Sequence, residues 1–246
     1  CLTQSIAIWI QLSQLDRVAV CSHRSTEWVI VFLAILRAGA TYVPISAKFT
    51  PSYRRQLVID ADAKLLLTDQ SLSSEEVASL SCPTLTFEAL YNCVIDLDGE
   101  VAKVDYEQRI AYTIFTSGST GRPKRVDISY ANLSSHQQSL QAYFGFASSD
   151  RVLQYCAISF DVSIEEILCA ISSSATLVIC DLDENSSPHD FNDFLRRQHI
   201  SVINIPTAMW SVWLEVMVNI PAAFPDQLRM VVIGSESCPP ASLDKW

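Results

Sequence analysis

The chain has 246 residues, 49% of them apolar and 18% charged, which suits a globular protein with a large buried core. Its 17 basic and 27 acidic residues leave a net charge of −10 with no Lys/Arg-rich block, which argues against an electrostatic footprint for nucleic acid or an anionic membrane. The longest apolar run, WVIVFLAIL at 28–36, ends at Arg37, far short of the ~20 residues that span a bilayer, and reads as a core helix.

Short β-branched runs alternate with helix-length segments along the chain. VAVC (18–21) is a predicted strand, followed by a helix in STEWVIVFLAILRAG that Ser25 or Thr26 can cap and Gly39 can end. ATYVPI reads as the next strand. TPSYRRQLVIDAD is then a helix with Thr50 at the N-cap and Pro51 at the first helical position, and KLLLT (64–68) a third strand. From Ser71 to Glu107 the pattern loosens around Pro83, a Ser cluster and DLDGE, so the division between two halves is placed here, at 1–108 and 109–246.

The alternation resumes with IAYTIF, a polar helix near 129–143, RVLQYCAISF, a helix from Ser163, and ATLVIC. A helix near 190–198, SVINIP, a helix near 207–217 and MVVIG complete it. The pattern predicts an α/β fold of mostly parallel sheets flanked by helices. The eight cysteines (1, 21, 82, 93, 156, 169, 180, 238) show no C-x-x-C pair and mostly sit in apolar runs, so they read as thiols of a reducing, cytoplasmic compartment. The four histidines have no metal-site spacing, and no protein-ligated metal is expected.

The most informative stretch is YTIFTSGSTGRPKRV (112–126), where a strand opens into a soft polar loop. In parallel sheets, ligands bind at the carboxyl ends of strands. Gly118 and Gly121 permit close backbone approach. Thr116, Ser117, Ser119 and Thr120 add hydroxyls to successive backbone N–H groups, and Lys124 adds a mobile positive charge. Together these make an anion-cradling nest suited to phosphate. The Walker loop and the G-x-S-x-G nucleophile elbow both fail on spacing.

FTSGSTGRPK resembles the signature of the adenylate-forming (AMP-binding) superfamily. LRAGATYVPI (36–45), RVLQYCAISFDVSIEEIL (151–168) and LRMVVIGSESCPP (228–240) resemble its nonribosomal peptide synthetase adenylation branch, in the family's order. The resemblance implies the N-terminal large-domain part of that fold. It also implies activation of an amino-acid carboxylate by Mg-ATP to an aminoacyl-adenylate, then transfer to a phosphopantetheine thiol on a peptidyl carrier domain.

By this similarity Thr116, Ser117, Gly118, Ser119, Thr120, Gly121 and Lys124 hold the ATP phosphates. Lys124 is the candidate catalytic residue and Thr116 a candidate magnesium contact, the Mg2+ being held mainly by ATP and by residues beyond the chain. Asp161 matches the acid that pairs with the substrate α-ammonium. A Ser163/Glu166 capping box would start the next helix and leave Asp161 outside it. Val162, Glu165, Asn204, Val232 and Gly234 map to the side-chain pocket. Glu165 points to a basic or polar amino acid, ornithine or a derivative first.

The chain departs from the family pattern at Arg125, Ser174 and Ser235, where glycine is usual, and at Tyr130, where histidine is common. It contains no G-P-T-E stretch, no Y-R-T-G-D stretch and no small C-terminal domain, so it reads as an N-terminal portion that does not turn over alone. An acyl-CoA synthetase-like ligase and a non-catalytic remnant of the adenylation fold are the alternatives.

Overall fold

The computed structural model describes residues 17–92, 106, 109–116, 123–182, 186–220 and 224–246. Among the described residues ten strands alternate with helices and form two sheets. The first sheet contains β1 (Arg17–Ser22), β2 (Thr41–Ser46), β3 (Ala63–Thr68), β4 (Thr84–Thr86), β5 (Ile110–Thr116) and β6 (Lys124–Ser129) in the order β4-β3-β1-β2-β5-β6. All neighbours are parallel except β5 and β6. The second holds β7 (Arg151–Gln154), β8 (Thr176–Ile179), β9 (Val202–Pro206) and β10 (Met230–Gly234), in the order β10-β9-β7-β8, all parallel.

Residues up to Gln138, with Ala157–Asp161, form one compact unit, and Ser139–Cys156 with Val162–Trp246 form the other. The division expected at 108/109 therefore falls inside the first unit. The described part of the loosened segment holds short elements, α3 (Ser74–Ala78), β4 and α4 (Phe87–Asn92). After it, β5 pairs with β2 at Tyr42↔Tyr112, which carries the strand ending at Thr116 into the first sheet.

Local signals account for most boundaries. Ser25 caps α1 (Thr26–Arg37), its hydroxyl accepting from Trp28 N at 3.0 Å. Gly39 ends that helix at φ 73, with Ala40 N donating to Ile35 O and Gly39 N to Leu36 O, a Schellman arrangement. Pro51 opens α2 (Pro51–Asp60), although Thr50 makes no side-chain cap. β1 and β2 are buried almost throughout, as strands covered on both faces must be. Between α1 and β2, Trp28 Nε1 donates to the Tyr42 hydroxyl at 2.7 Å, with both rings fully buried.

In the second unit Trp210, Trp213, Phe191 and Phe194 pack with Leu153, Ile203 and Ile205 into one core. Phe191 and Trp213 meet edge to face at 5.7 Å, a favoured aromatic geometry. The remaining helices are α5 (Tyr130–Phe144), α6 (Asp161–Ser172), α7 (Pro188–Arg197), α8 (Thr207–Met217) and α9 (Pro240–Leu243). Ser187 closes a reciprocal capping box with Asp190 at the start of α7. No disulfide joins the described cysteines, and Cys21, Cys169 and Cys180 are buried. Burial pushes the Cys21 thiol up to about 12. Among the described residues no helix is long and apolar enough to cross a membrane.

The glycine replacements separate into two kinds. Arg125 lies in β6 opposite Phe115 and has no positive φ, so its side chain carries no backbone strain. Ser174 (φ 56) and Ser235 (φ 73) do adopt the left-handed conformation that glycine takes without cost. Ser174 stands just past α6, where Ala175 N bonds Ala170 O at 2.8 Å and Ser174 N bonds Ile171 O at 3.1 Å, again a Schellman end. Ser174→Gly is expected to raise stability by about 0.5–1 kcal/mol, the relieved strain outweighing glycine's greater unfolded-state entropy. A shift of the urea midpoint to higher concentration checks this.

At the amino ends of β7 and β9, the buried Asp150 carboxylate accepts from Arg229 Nε at 2.7 Å, Ser201 Oγ at 2.8 Å and Ala147 N at 2.8 Å. The Arg229 guanidinium, helped by these N–H and O–H donors, holds its pKa down at about 2. Because the folded value lies below the unfolded one near 4, the stabilisation is complete above pH 4 and drains away as pH falls from about 4 toward 2. Acid titration of unfolding should show a loss on the order of 2 kcal/mol in that window, absent in Asp150→Asn, which is destabilised at neutral pH.

Candidate functional site

The residues singled out in the sequence fall in two places. In the first unit, β5 and β6 form an antiparallel hairpin whose last pair is Thr116↔Lys124. The Thr116 hydroxyl is exposed and lies 3.5 Å from Lys124 O, and the Lys124 side chain is exposed beside it. Ser117, Gly118, Ser119, Thr120 and Gly121 lie outside the described residues. The strand after the loop was not expected, since Gly and Pro obscured a run in which KRVDIS alternates its faces.

That alternation sends Arg125 to the face opposite Lys124. Arg125 Nη2 sits 3.4 Å from Asp127 Oδ2, which also meets Arg17 Nη2 at 3.3 Å, while Thr113 Oγ1 donates to Asp127 Oδ1 at 2.6 Å. Arg125 is thus drawn into a charge cluster on the strand. Tyr130, in the position where histidine is common, is half-buried and donates its hydroxyl to Leu36 O at 2.7 Å, in contact also with Ala40 O at 3.1 Å. Burial raises its pKa, and it serves as a tie between α5 and the turn after α1.

In the second unit, α6, β7, β9 and β10 surround a narrow cleft that is partly open to solvent. Glu165, Asn204 and Val232 line it. Asn204 and Val232 are register partners on adjacent strands, so their side chains stand on the same face of the sheet. Glu165 approaches from α6. The rest of the wall is mainly apolar and includes Leu140 and Phe144, which are one helical turn apart on α5. Polar groups placed in an otherwise apolar recess suit a ligand with a hydrophobic stem and a hydrogen-bonding head.

Asp161, Val162 and Gly234 do not line this cleft. Asp161 is the exposed first residue of α6, one turn before Glu165, so the helix begins ahead of Ser163. The Ser163/Glu166 capping box is accordingly overturned: both residues are buried inside the helix. Gly234 ends β10, and its carbonyl accepts from Thr207 Oγ1 at 3.0 Å. Glu236 Oε1 accepts from Ala208 N at 2.9 Å and so caps α8, whose own N-cap is a proline. Glu166 also lines the cleft, which the adjacent Glu-Glu pair did not disclose because local spacing says nothing of tertiary donors.

The AMP-binding enzyme family matches residues 6–246. The chain belongs to this family. An isonitrile lipopeptide synthase of Streptomyces coeruleorubidus is 32% identical over 240 residues, covering 96% of the chain and 16% of that protein. A linear gramicidin synthase from Brevibacillus parabrevis is 32% identical over 222 residues, covering 90% and 4%. Syringomycin synthase SyrB1 of Pseudomonas syringae pv. syringae is 31% identical over 231 residues, covering 94% and 37%.

The chain thus spans a minor part of each of these relatives. Among solved structures, VinN in complex with L-aspartate superposes with a TM-score of 0.85 at 22% identity, over 99% of the chain and 63% of VinN. The Klebsiella oxytoca NpsA N-terminal subdomain with 3-hydroxybenzoyl-AMSN superposes at 0.83 and 24% identity, over 99% and 59%. At these identities the likeness establishes the fold of an adenylate-forming enzyme's N-terminal domain.

Proposed function

We propose that this family member takes part in amino-acid adenylation for nonribosomal peptide synthesis. In this reaction a substrate carboxylate oxygen attacks the α-phosphorus of ATP, pyrophosphate leaves, and the acyl group of the aminoacyl-adenylate passes to a carrier-domain thiol. The observation that carries the reading is the convergence of Glu165, Asn204 and Val232 on one cleft in a chain whose curated relatives are peptide synthases.

The exposed Thr116 hydroxyl and Lys124 ammonium at the hairpin end fit a polyphosphate in charge and donor type. Lys124 would neutralise charge that develops on the leaving phosphates, and Thr116 would orient an oxygen or the magnesium that ATP brings. The Mg2+ is proposed to be carried mainly by the nucleotide. Ser117 to Gly121 are proposed to cradle the phosphates. Asp161 would pair with the α-ammonium, with Val162 and Gly234 beside the substrate backbone.

A carboxylate at Glu165 and an amide at Asn204 in a mostly apolar wall favour a basic or polar side chain, ornithine or a derivative first. The same carboxylates would be costly beside a fatty acyl chain, which sets the acyl-CoA synthetase reading aside. The proposed setting is cytoplasmic, with the peptidyl carrier domain as protein partner. ATP–pyrophosphate exchange by the full polypeptide over a panel of amino and fatty acids tests the proposal. Exchange stimulated by amino acids is expected, and exchange stimulated by fatty acids alone would overturn it.

A further inference from the structure

Glu166 is 3% exposed, yet its carboxylate, midway along α6, stands against the residues that leave β7. Its Oε1 accepts from Tyr155 N at 3.2 Å and Cys156 N at 3.1 Å, and its Oε2 from Gln154 Nε2 at 2.9 Å. Gln154, fully buried, donates through the same Nε2 to Cys156 O at 2.7 Å. A carboxylate is seldom so deeply buried unless its charge is matched by donors, and charge-assisted bonds of this kind are the strong ones.

The placement matters because of what else these elements carry. Helix α6 presents Glu165, Glu166 and Cys169 to the cleft, and β7 presents Val152. The sheet wall, with Val152, Val202, Asn204 and Val232, is already fixed by the β7–β9 and β9–β10 ladders. Helix α6 has no such ladder to β7. Its position relative to the strand is set by side-chain packing and by the Glu166 carboxylate bound to the backbone N–H groups at the strand's exit.

We propose that Glu166 is a positioning residue that clamps α6 to the end of β7, sets the width of the cleft and so fixes where Glu165 meets the substrate side chain. This rests on the reading of the cleft as the amino-acid pocket. The alternative is that the carboxylate only stabilises the fold, and kinetic constants separate the two. In the full polypeptide, Glu166→Gln keeps one acceptor oxygen and about the same volume. It should raise the amino-acid KM about tenfold, and Glu166→Ala about a hundredfold, the range expected for losing bonds to a charged group.

The ATP KM should stay within about twofold of wild type, because the hairpin of β5 and β6 takes no part in the clamp. Discrimination between the preferred amino acid and its homologue one methylene shorter should also fall. A wild-type amino-acid KM in Glu166→Gln, or equal changes in both KM values, would overturn the proposal. Amide hydrogen exchange supplies a readout independent of activity: Tyr155 and Cys156 should be protected in wild type and exchange faster in Glu166→Gln, while β9 is unchanged. Unprotected amides at both positions in wild type would show that the clamp does not exist. If the amides are protected but no amino acid stimulates exchange, it is the pocket reading that fails, and the positioning role with it.

Discussion

Glu76→Ala is expected to lower the stability of the first unit by about 3–5 kcal/mol, the usual consequence of stripping one partner from a buried ion pair. Arg54 Nε and Nη2 meet the two Glu76 oxygens at 2.7 and 2.6 Å, and both residues are buried at 8% exposure. The third guanidinium nitrogen donates to Phe49 O at 2.7 Å and to Ala47 O. Arg54 thus ties α2 to α3 and to the turn after β2, and its hydrogen bonds to Glu76 raise its pKa. Removing Glu76 leaves that charge buried without its counter-ion, whereas an apolar pair of similar volume, Arg54→Met with Glu76→Leu, should cost much less. Urea unfolding of the two variants side by side checks the difference.

Lys124→Ala should lower amino-acid-dependent pyrophosphate exchange about 10²- to 10³-fold in kcat, the scale seen when one preorganised electrostatic contact to a transition state is deleted. Lys124→Arg should recover part of the loss, since it restores the charge but not the compact ammonium. Stability should hardly change, because Lys124 is exposed at the end of its strand. Steady-state exchange with a urea midpoint for each variant separates the effects. Unchanged exchange in Lys124→Ala would remove Lys124 from the phosphate site.

Much of the fold is legible because its signals are local. VAVC and KLLLT are β-branched or aliphatic runs flanked by caps and turns, the mark of a strand largely buried on both faces, and MVVIG is a similar run in a half-buried strand. What escapes is whatever depends on partners distant in the chain. Arg54 and Arg55 look alike in YRRQ, yet only Arg54 is buried, because Glu76 lies in a helix too short to project a period. Strand β6 is hidden behind a glycine and a proline and is defined by β5, not by its own composition.

The candidate site divides along the same line. Glu165, Asn204 and Val232 could be singled out through family resemblance, and the structure brings these three to one cleft. Leu140 and Phe144 belong to that wall too, but in YANLSSHQQSLQAYF they are lone apolar residues in a polar helix. Glu166 fitted a local capping pattern with Ser163, and that plausible local partner concealed the tertiary one. Ser174 and Ser235 show the converse: their left-handed backbone was foreshadowed by glycine being usual there, while Arg125, also in a glycine position, sits in an extended strand.

Equilibrium binding of non-hydrolysable aminoacyl-adenylate analogues to the full polypeptide tests the proposed function most directly, since these ligands carry both the acyl group and the nucleotide of the proposed reaction and require no turnover. The ornithyl analogue should bind at least about tenfold more tightly than the leucyl analogue, the least expected of a charged contact in a partly buried pocket, and far more tightly than the hexanoyl one. Equal or tighter binding of the hexanoyl analogue would contradict an amino-acid pocket built around Asp161 and Glu165.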